Sequence, residues 1–198
     1  MMPRPKSYDR QEAVGKACHA FWQHGYQALG VRELERITGI NQFAIRSEFG
    51  GKEGLYLEAL QSYCDAAATI KLPALKTGGI KEIITFLTDL VTPDSMTSSE
   101  FGCLAVNTGI ENARIQSPRL EEVTQAYWAK LEEHFHAALE NERAAHGGLE
   151  NFDVEELAKA LVVGVIGVHA QNRTLGSHDA GKPLVNVLSA MLREAARG

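Results

Sequence analysis

Asn41, Gln42, Arg46 and Ser47 stand close together in one short stretch. On a helix, Gln42 and Arg46 are one turn apart and share a face. Their amide and guanidinium groups, with the neighbouring amide and hydroxyl, donate and accept hydrogen bonds. Nothing in the set makes or breaks covalent bonds. Their chemistry is recognition of donor and acceptor edges such as bases present in a DNA major groove.

Constellations that would carry catalysis are absent or incomplete. Glu133-x-x-His136 resembles half of a paired-metal motif of helical bundles, but no other Glu precedes a His by three. His134 and His136 fall on different helix faces, so a solvated surface is the better reading. No Gly-x-Ser-x-Gly elbow occurs, and no Gly-rich phosphate loop follows a strand. We therefore expect no catalytic residue, no metal, no cofactor and no enzyme. Cys18, Cys64 and Cys103 are odd in number and widely spaced, which gives neither a disulfide framework nor a zinc site. Cys103 falls near a predicted helix N-terminus, where a thiolate is stabilised, but it has no visible resolving partner.

The elements that must position the recognition residues are two short amphipathic helices, about Val31–Thr38 and Gln42–Glu48. Gly39 joins them and can take positive φ at no steric cost. Ile40 packs inward between them. This is helix-turn-helix geometry, in which the second helix enters the major groove. Before it, Asp9 and Glu12 form a capping pair, and Val14, Ala17, Phe21 and Trp22 follow at helical spacing up to Gly25. A long helix starts near Lys52 and runs toward Pro73. Further helices are expected near Ile80–Val91, Phe101–Arg114, Ser117–Ala145, Asp153–Thr174 and Pro183–Arg197, with a polar loop from Pro93 to Ser99. The fold class is all-α, with about nine helices and no strand.

The 198-residue chain is 44 % hydrophobic and 23 % charged, a globular balance. Its net charge of −5 is unevenly spread. Residues 1–56 carry eight basic residues (Arg4 and Lys6 among them) against six acidic ones, and the remainder is strongly acidic. A weakly basic head on an acidic body is the pattern expected when only the head meets phosphate. No apolar run is long enough to span a bilayer and none follows the basic start, so we expect no membrane partner, no secretory signal and a cytoplasmic location.

The chain resembles the TetR/AcrR family of transcription regulators over residues 9–60. The resemblance rests on Phe21-Trp22, Gly25-Tyr26, Val31-Arg32-Glu33-Leu34, Thr38-Gly39-Ile40 and Phe49-Gly50-x-Lys52-Glu53-x-Leu55. Gly102-Cys103-Leu104-Ala105-Val106-Asn107 is similar to a segment of the regulatory domain in one branch of that family. Three positions depart from the family pattern. Gly30 replaces a capping hydroxyl, Glu35 a small alanine, and Arg46 a tyrosine that braces the DNA backbone.

The resemblance implies an N-terminal helix-turn-helix domain, residues 1–51, and a regulatory domain, residues 52–198, for effector binding and dimerisation. It implies double-stranded operator DNA as partner, with Gln42 and Arg46 reading bases and Arg32, Ser47 and Lys52 positioning the backbone. Asn41 completes the polar surface, and Phe43 faces either a thymine methyl or the core. For a small-molecule effector of unknown identity, the candidate lining is Tyr63, Phe86, Cys103, Asn107, Glu111, Tyr127, Trp128 and His169. Asn107 and Glu111 are one turn apart and can act together. A homodimer interface is expected on the last two helices, through Leu161, Gly164, Val168, Leu184, Leu188 and Met191, with the glycines allowing close approach. The implied function is a ligand-responsive repressor. The competing reading is a helical effector- or partner-binding protein that has lost specific DNA binding, for which the departures at Gly30, Glu35 and Arg46 leave room.

Overall fold

In the computed structural model, residues 8–93, 95 and 97–197 are described. Arg4 and Lys6 of the basic head, and Asp94 and Met96 of the polar loop, lie outside them. The described residues form nine α-helices and no strand: α1 Arg10–His24, α2 Val31–Thr38, α3 Gln42–Phe49, α4 Lys52–Thr77, α5 Ile80–Asp89, α6 Leu104–Ile115, α7 Pro118–His146, α8 Val154–Leu175 and α9 Lys182–Ala195. None of them is long and apolar enough to cross a membrane.

The helix starts follow local chemistry. The Asp9 carboxylate accepts from Glu12 N at 2.8 Å, the Ser117 hydroxyl caps α7 ahead of Pro118, and Asp153 accepts from Glu155 N and Glu156 N. Each such cap is worth about 1 kcal/mol. Two boundaries differ from the sequence expectation by more than two residues. α6 begins at Leu104 rather than Phe101, because Cys103 is extended (φ −113°, ψ 133°) and serves as its N-cap. α4 does not end near Pro73 but continues to Thr77. Proline inside a helix costs roughly 3 kcal/mol, and the buried stripe of Ala68, Leu72 and Leu75 outweighs it by packing on the body core.

Two apolar clusters make up the interior. One gathers Phe21, Leu34, Ile40 and Ile45 of the head around Leu55, Tyr56 and Leu60 of α4, and also takes in Leu104 and Leu120. The other joins Leu72 and Leu75 of α4 to α5, α7, α8 and α9 around Ile83, Leu87, Phe135 and Leu161. Helix α4 thus threads both, and its first half belongs to the head's core. A cut between residues 51 and 52 marks a helix start rather than a gap between cores.

Among the described glycines, Gly54 at the α3–α4 joint has the least room for a side chain. A Cβ on Gly54 would overlap the Phe49 carbonyl. Gly54→Ala is therefore expected to lower stability by about 3 kcal/mol, because backbone must move apart to admit one methyl. Urea unfolding checks this, and an unchanged midpoint would show that α3 and α4 do not meet so closely.

Candidate nucleic-acid interface

The reversal between α2 and α3 is built from four consecutive residues. The Thr38 hydroxyl donates to Leu34 O at 2.6 Å and accepts from Ile40 N at 3.1 Å. Gly39 takes the left-handed conformation (φ 75°, ψ 1°), open to glycine without strain, and its N–H closes α2 on Glu35 O. Ile40 is fully buried. Asn41 is extended, and its side-chain oxygen accepts from Ala44 N at 2.8 Å as the N-cap of α3. Asn41 is thus partly committed to the helix start.

These constraints set the rotation of α3. Ala44, Ile45 and Phe49 turn inward, while Gln42, Phe43, Arg46 and Ser47 are exposed. Phe43 is 80 % exposed, which excludes the core-packing alternative and leaves its ring on the outer face. From behind, Arg10 lies 4.1 Å over the Phe49 ring and donates to both Glu58 oxygens, at 2.9 and 2.6 Å. Arg32 is exposed on α2, and Arg36 is paired with Glu33 at 2.6 Å. The Gln42 side-chain nitrogen donates to Glu35 Oε2 at 2.8 Å. Lys52 opens α4 but is only partly exposed. Its Nζ sits 4.1 Å over the Tyr26 ring, and burial lowers its pKa while Glu111 acts the other way.

A polar seam ties this head to the body. Tyr26 N donates to Glu111 Oε2 at 2.8 Å, and the Ser117 hydroxyl donates to Glu53 Oε1 at 2.6 Å. The Trp22 indole donates to Gly102 O at 3.0 Å, and Arg173 donates to Trp22 O at 2.8 Å. The Thr108 hydroxyl is spent on Leu104 O, so Tyr56 OH donates to Thr108 across 2.7 Å. Sequence reasoning missed Glu53, Ser117 and Arg173 as seam residues. Arg173 and Trp22 are 151 positions apart, and no local pattern joins them.

The proposed effector-lining residues divide. Tyr63 and Cys103 share one cluster, and each influences the other's titration. Tyr127 packs on the same cluster, and Trp128 touches both clusters. Burial raises the Cys103 pKa, although Tyr63 and the N–H groups of Ala105 and Val106 pull the other way. Phe86 lies in the second cluster, edge-on to Phe135 at 5.3 Å. Asn107 donates to Phe101 O at 2.9 Å, and Glu111 is taken by Tyr26. Both are occupied in holding the chain, not paired toward a cavity. His169 is buried, its Nδ1 has no hydrogen-bond partner, and desolvation pushes its pKa down to about 4.

On the last two helices, Leu161 and Val168 are fully buried within the one chain, so they do not face a partner. Their positions on α8 point into the body core. Gly164 and Gly167 admit Leu188 and Leu184 of the same chain, which brings α9 close onto α8. The outward apolar surface is instead Val163, Leu184, Val187 and Met191, with Val163 and Val187 about two-thirds exposed. Among the described residues no three His, Cys, Asp or Glu side chains gather as a metal site. His136 faces Glu140 at 4.0 Å on the surface.

Comparison with known proteins agrees with this geometry. Residues 14–59 match the family model described as bacterial regulatory proteins, tetR family. The HTH-type transcriptional repressor ComR of Escherichia coli (strain K12) is 43 % identical over 65 residues, which are 33 % of this chain and 31 % of ComR. The match therefore spans about a third of that relative. The HTH-type transcriptional regulator YezE of Bacillus subtilis (strain 168) is 24 % identical over 163 residues, covering 81 % of this chain and 84 % of YezE. Among solved structures, a cysteine mutant of the TetR family transcriptional regulator CifR, complexed with 26-bp double-strand operator DNA, superposes with a TM-score of 0.75. It is 21 % identical, covering 96 % of this chain and 98 % of that one. The reduced form of Escherichia coli NemR gives 0.77 at 18 % identity, over 94 % of this chain and 96 % of that one.

The buried neutral His169 makes stability depend on pH. Unfolded, its imidazole takes a proton near 6.5 and folded only near 4. Between these values the unfolded chain binds more protons, so stability present above pH 6.5 is lost as pH falls toward 4. The loss is about 3 kcal/mol at most. Urea unfolding from pH 7 to 4 measures it, and His169→Leu is expected to flatten that part of the curve. An identical slope in the variant would show that His169 is not held neutral.

Proposed function

We propose that this chain, which belongs to the tetR family of bacterial regulatory proteins, is a DNA-binding transcription regulator that represses genes by docking α3 in the major groove of an operator. The observation that carries this reading is α3 itself. The Gly39–Ile40 turn pins its apolar side, and Gln42, Phe43, Arg46 and Ser47 are left exposed on the other. Such a face costs little to keep in water and matches base edges in shape and hydrogen bonding. Gln42 and Arg46 read bases, Phe43 meets a thymine methyl, and Arg32, Ser47 and Lys52 hold phosphates, Lys52 at a helix N-terminus without a side-chain cap. The repressor name of ComR, and the operator DNA in the CifR complex, support this assignment.

In this reading the protein works in the cytoplasm as a homodimer on a palindromic site, joined through the outward face of Val163, Leu184, Val187 and Met191. Paired heads must lie about 34–36 Å apart to enter successive major grooves. A small-molecule effector bound in the body near Tyr63, Cys103 and Tyr127 shifts α4, and with it the head spacing. It must bind the misaligned state more tightly, or nothing shifts.

A mobility shift on the DNA beside its own gene tests the function. Arg46→Ala is expected to weaken specific binding roughly tenfold to a hundredfold. Lys52→Ala is expected to weaken binding evenly on all sequences and to reduce the salt slope by about one unit per half-site. Failure to retain any DNA sequence would favour the partner-binding alternative. For the assembly, Val187→Asp is expected to give folded monomers in sedimentation that no longer hold a palindrome. A dimer unaffected by that charge would place the interface elsewhere.

A further inference from the structure

The two carboxylates on the outer part of α2 are used differently. Glu33 is taken by Arg36, at 2.6 and 3.3 Å. Glu35, the position where the family pattern has a small alanine, accepts instead from the Gln42 amide nitrogen at 2.8 Å. Gln42 is the first residue of α3, and it is the N-terminal residues of a recognition helix that reach base edges. The geometry points to Glu35 as a positioning residue that fixes which bases Gln42 can read, an inference that rests on the DNA-binding function proposed above.

The argument is one of donors and acceptors. A free glutamine amide can rotate and offer either its oxygen or its nitrogen to the groove. An ionised carboxylate only accepts, so it holds the NH2 end toward α2 and turns the carbonyl oxygen away. The oxygen then seeks a donor. In the major groove the donors are the exocyclic amino groups, N6 of adenine and N4 of cytosine. Guanine presents two acceptors there, O6 and N7. In the same pose the second amide N–H still reaches N7, but the outward carbonyl oxygen then meets O6, acceptor against acceptor. Glu35 therefore selects an amino-bearing base, adenine or cytosine, opposite Gln42 and rejects guanine. The cost is one negative charge close to the DNA backbone.

Selection from a duplex library with randomised half-sites tests this, using the full-length protein, Glu35→Ala, Glu35→Gln, Gln42→Ala and the Glu35→Ala/Gln42→Ala pair. The unmodified protein is expected to retain adenine or cytosine at one position of each half-site. Which of the two appears identifies the base, and 7-deazaadenine at that position weakens binding only if the amide also donates to N7. Glu35→Ala and Glu35→Gln are expected to admit guanine there, with discrimination falling about tenfold. In the Gln42→Ala background, adding Glu35→Ala changes nothing further at that position. A purely structural role for Glu35 would lower affinity evenly and leave base preference untouched, and that result overturns the inference while leaving the function standing. An unmodified protein with no preferred sequence overturns both.

Discussion

Tyr56 sits where the head and the body are made into one object. Its ring lies 4.6 Å from that of Phe21 and 5.0 Å from that of Tyr26, and its hydroxyl donates to Thr108 on α6. A phenol completely removed from water must find a partner for its O–H, because an unpaired buried donor costs about 1–3 kcal/mol. That requirement locks the register of α4 against α6, and α4 in turn carries the joint at Gly54 on which α3 rests. The orientation of the exposed face of α3 is thus tied to the packing of the body through a few short contacts.

The seam has a second character. Apart from the aromatic stack, it is made of single hydrogen bonds, three of them between side chain and backbone: Trp22 to Gly102, Tyr26 to Glu111, Arg173 to Trp22. Such bonds are directional and worth roughly 1 kcal/mol each. They fix one alignment on top of an apolar cluster that already runs from the head into α6 and α7. The Lys52 ammonium, seated over Tyr26 and near Glu111, stands where this seam meets the start of α4. It shares its surroundings with the residues that fix the head's attitude.

Inside the body, polar groups named as effector contacts are in part structural. Asn107 and Glu111 are hydrogen-bonded to backbone, while His169 keeps an unpartnered ring nitrogen in an apolar setting. Tyr63 and the first N–H groups of α6 offset part of the effect of burial on the Cys103 thiol. Buried against Leu104 and its neighbours, it has the surroundings of a packed cysteine rather than of an exposed nucleophile. On the opposite flank, the α8–α9 pair uses its glycines for packing within the chain and shows its valines to the outside.

Local chemistry in the sequence was enough for most of the architecture. Capping pairs at Asp9 and Asp153, Ser117-Pro118, and the glycines at the helix ends all act within a few residues, so the nine helices and the Gly39 turn could be read directly. The polar face of α3 was legible for the same reason, since helical periodicity assigns faces. What only the tertiary structure decided depends on residues distant in sequence. The course of α4 through Pro73, the inward turn of Leu161 and Val168, the engagement of Glu111 by Tyr26 and the hold of Glu35 on Gln42 each depend on a neighbouring helix. Periodicity states that a residue has a side, but only packing states what stands opposite it.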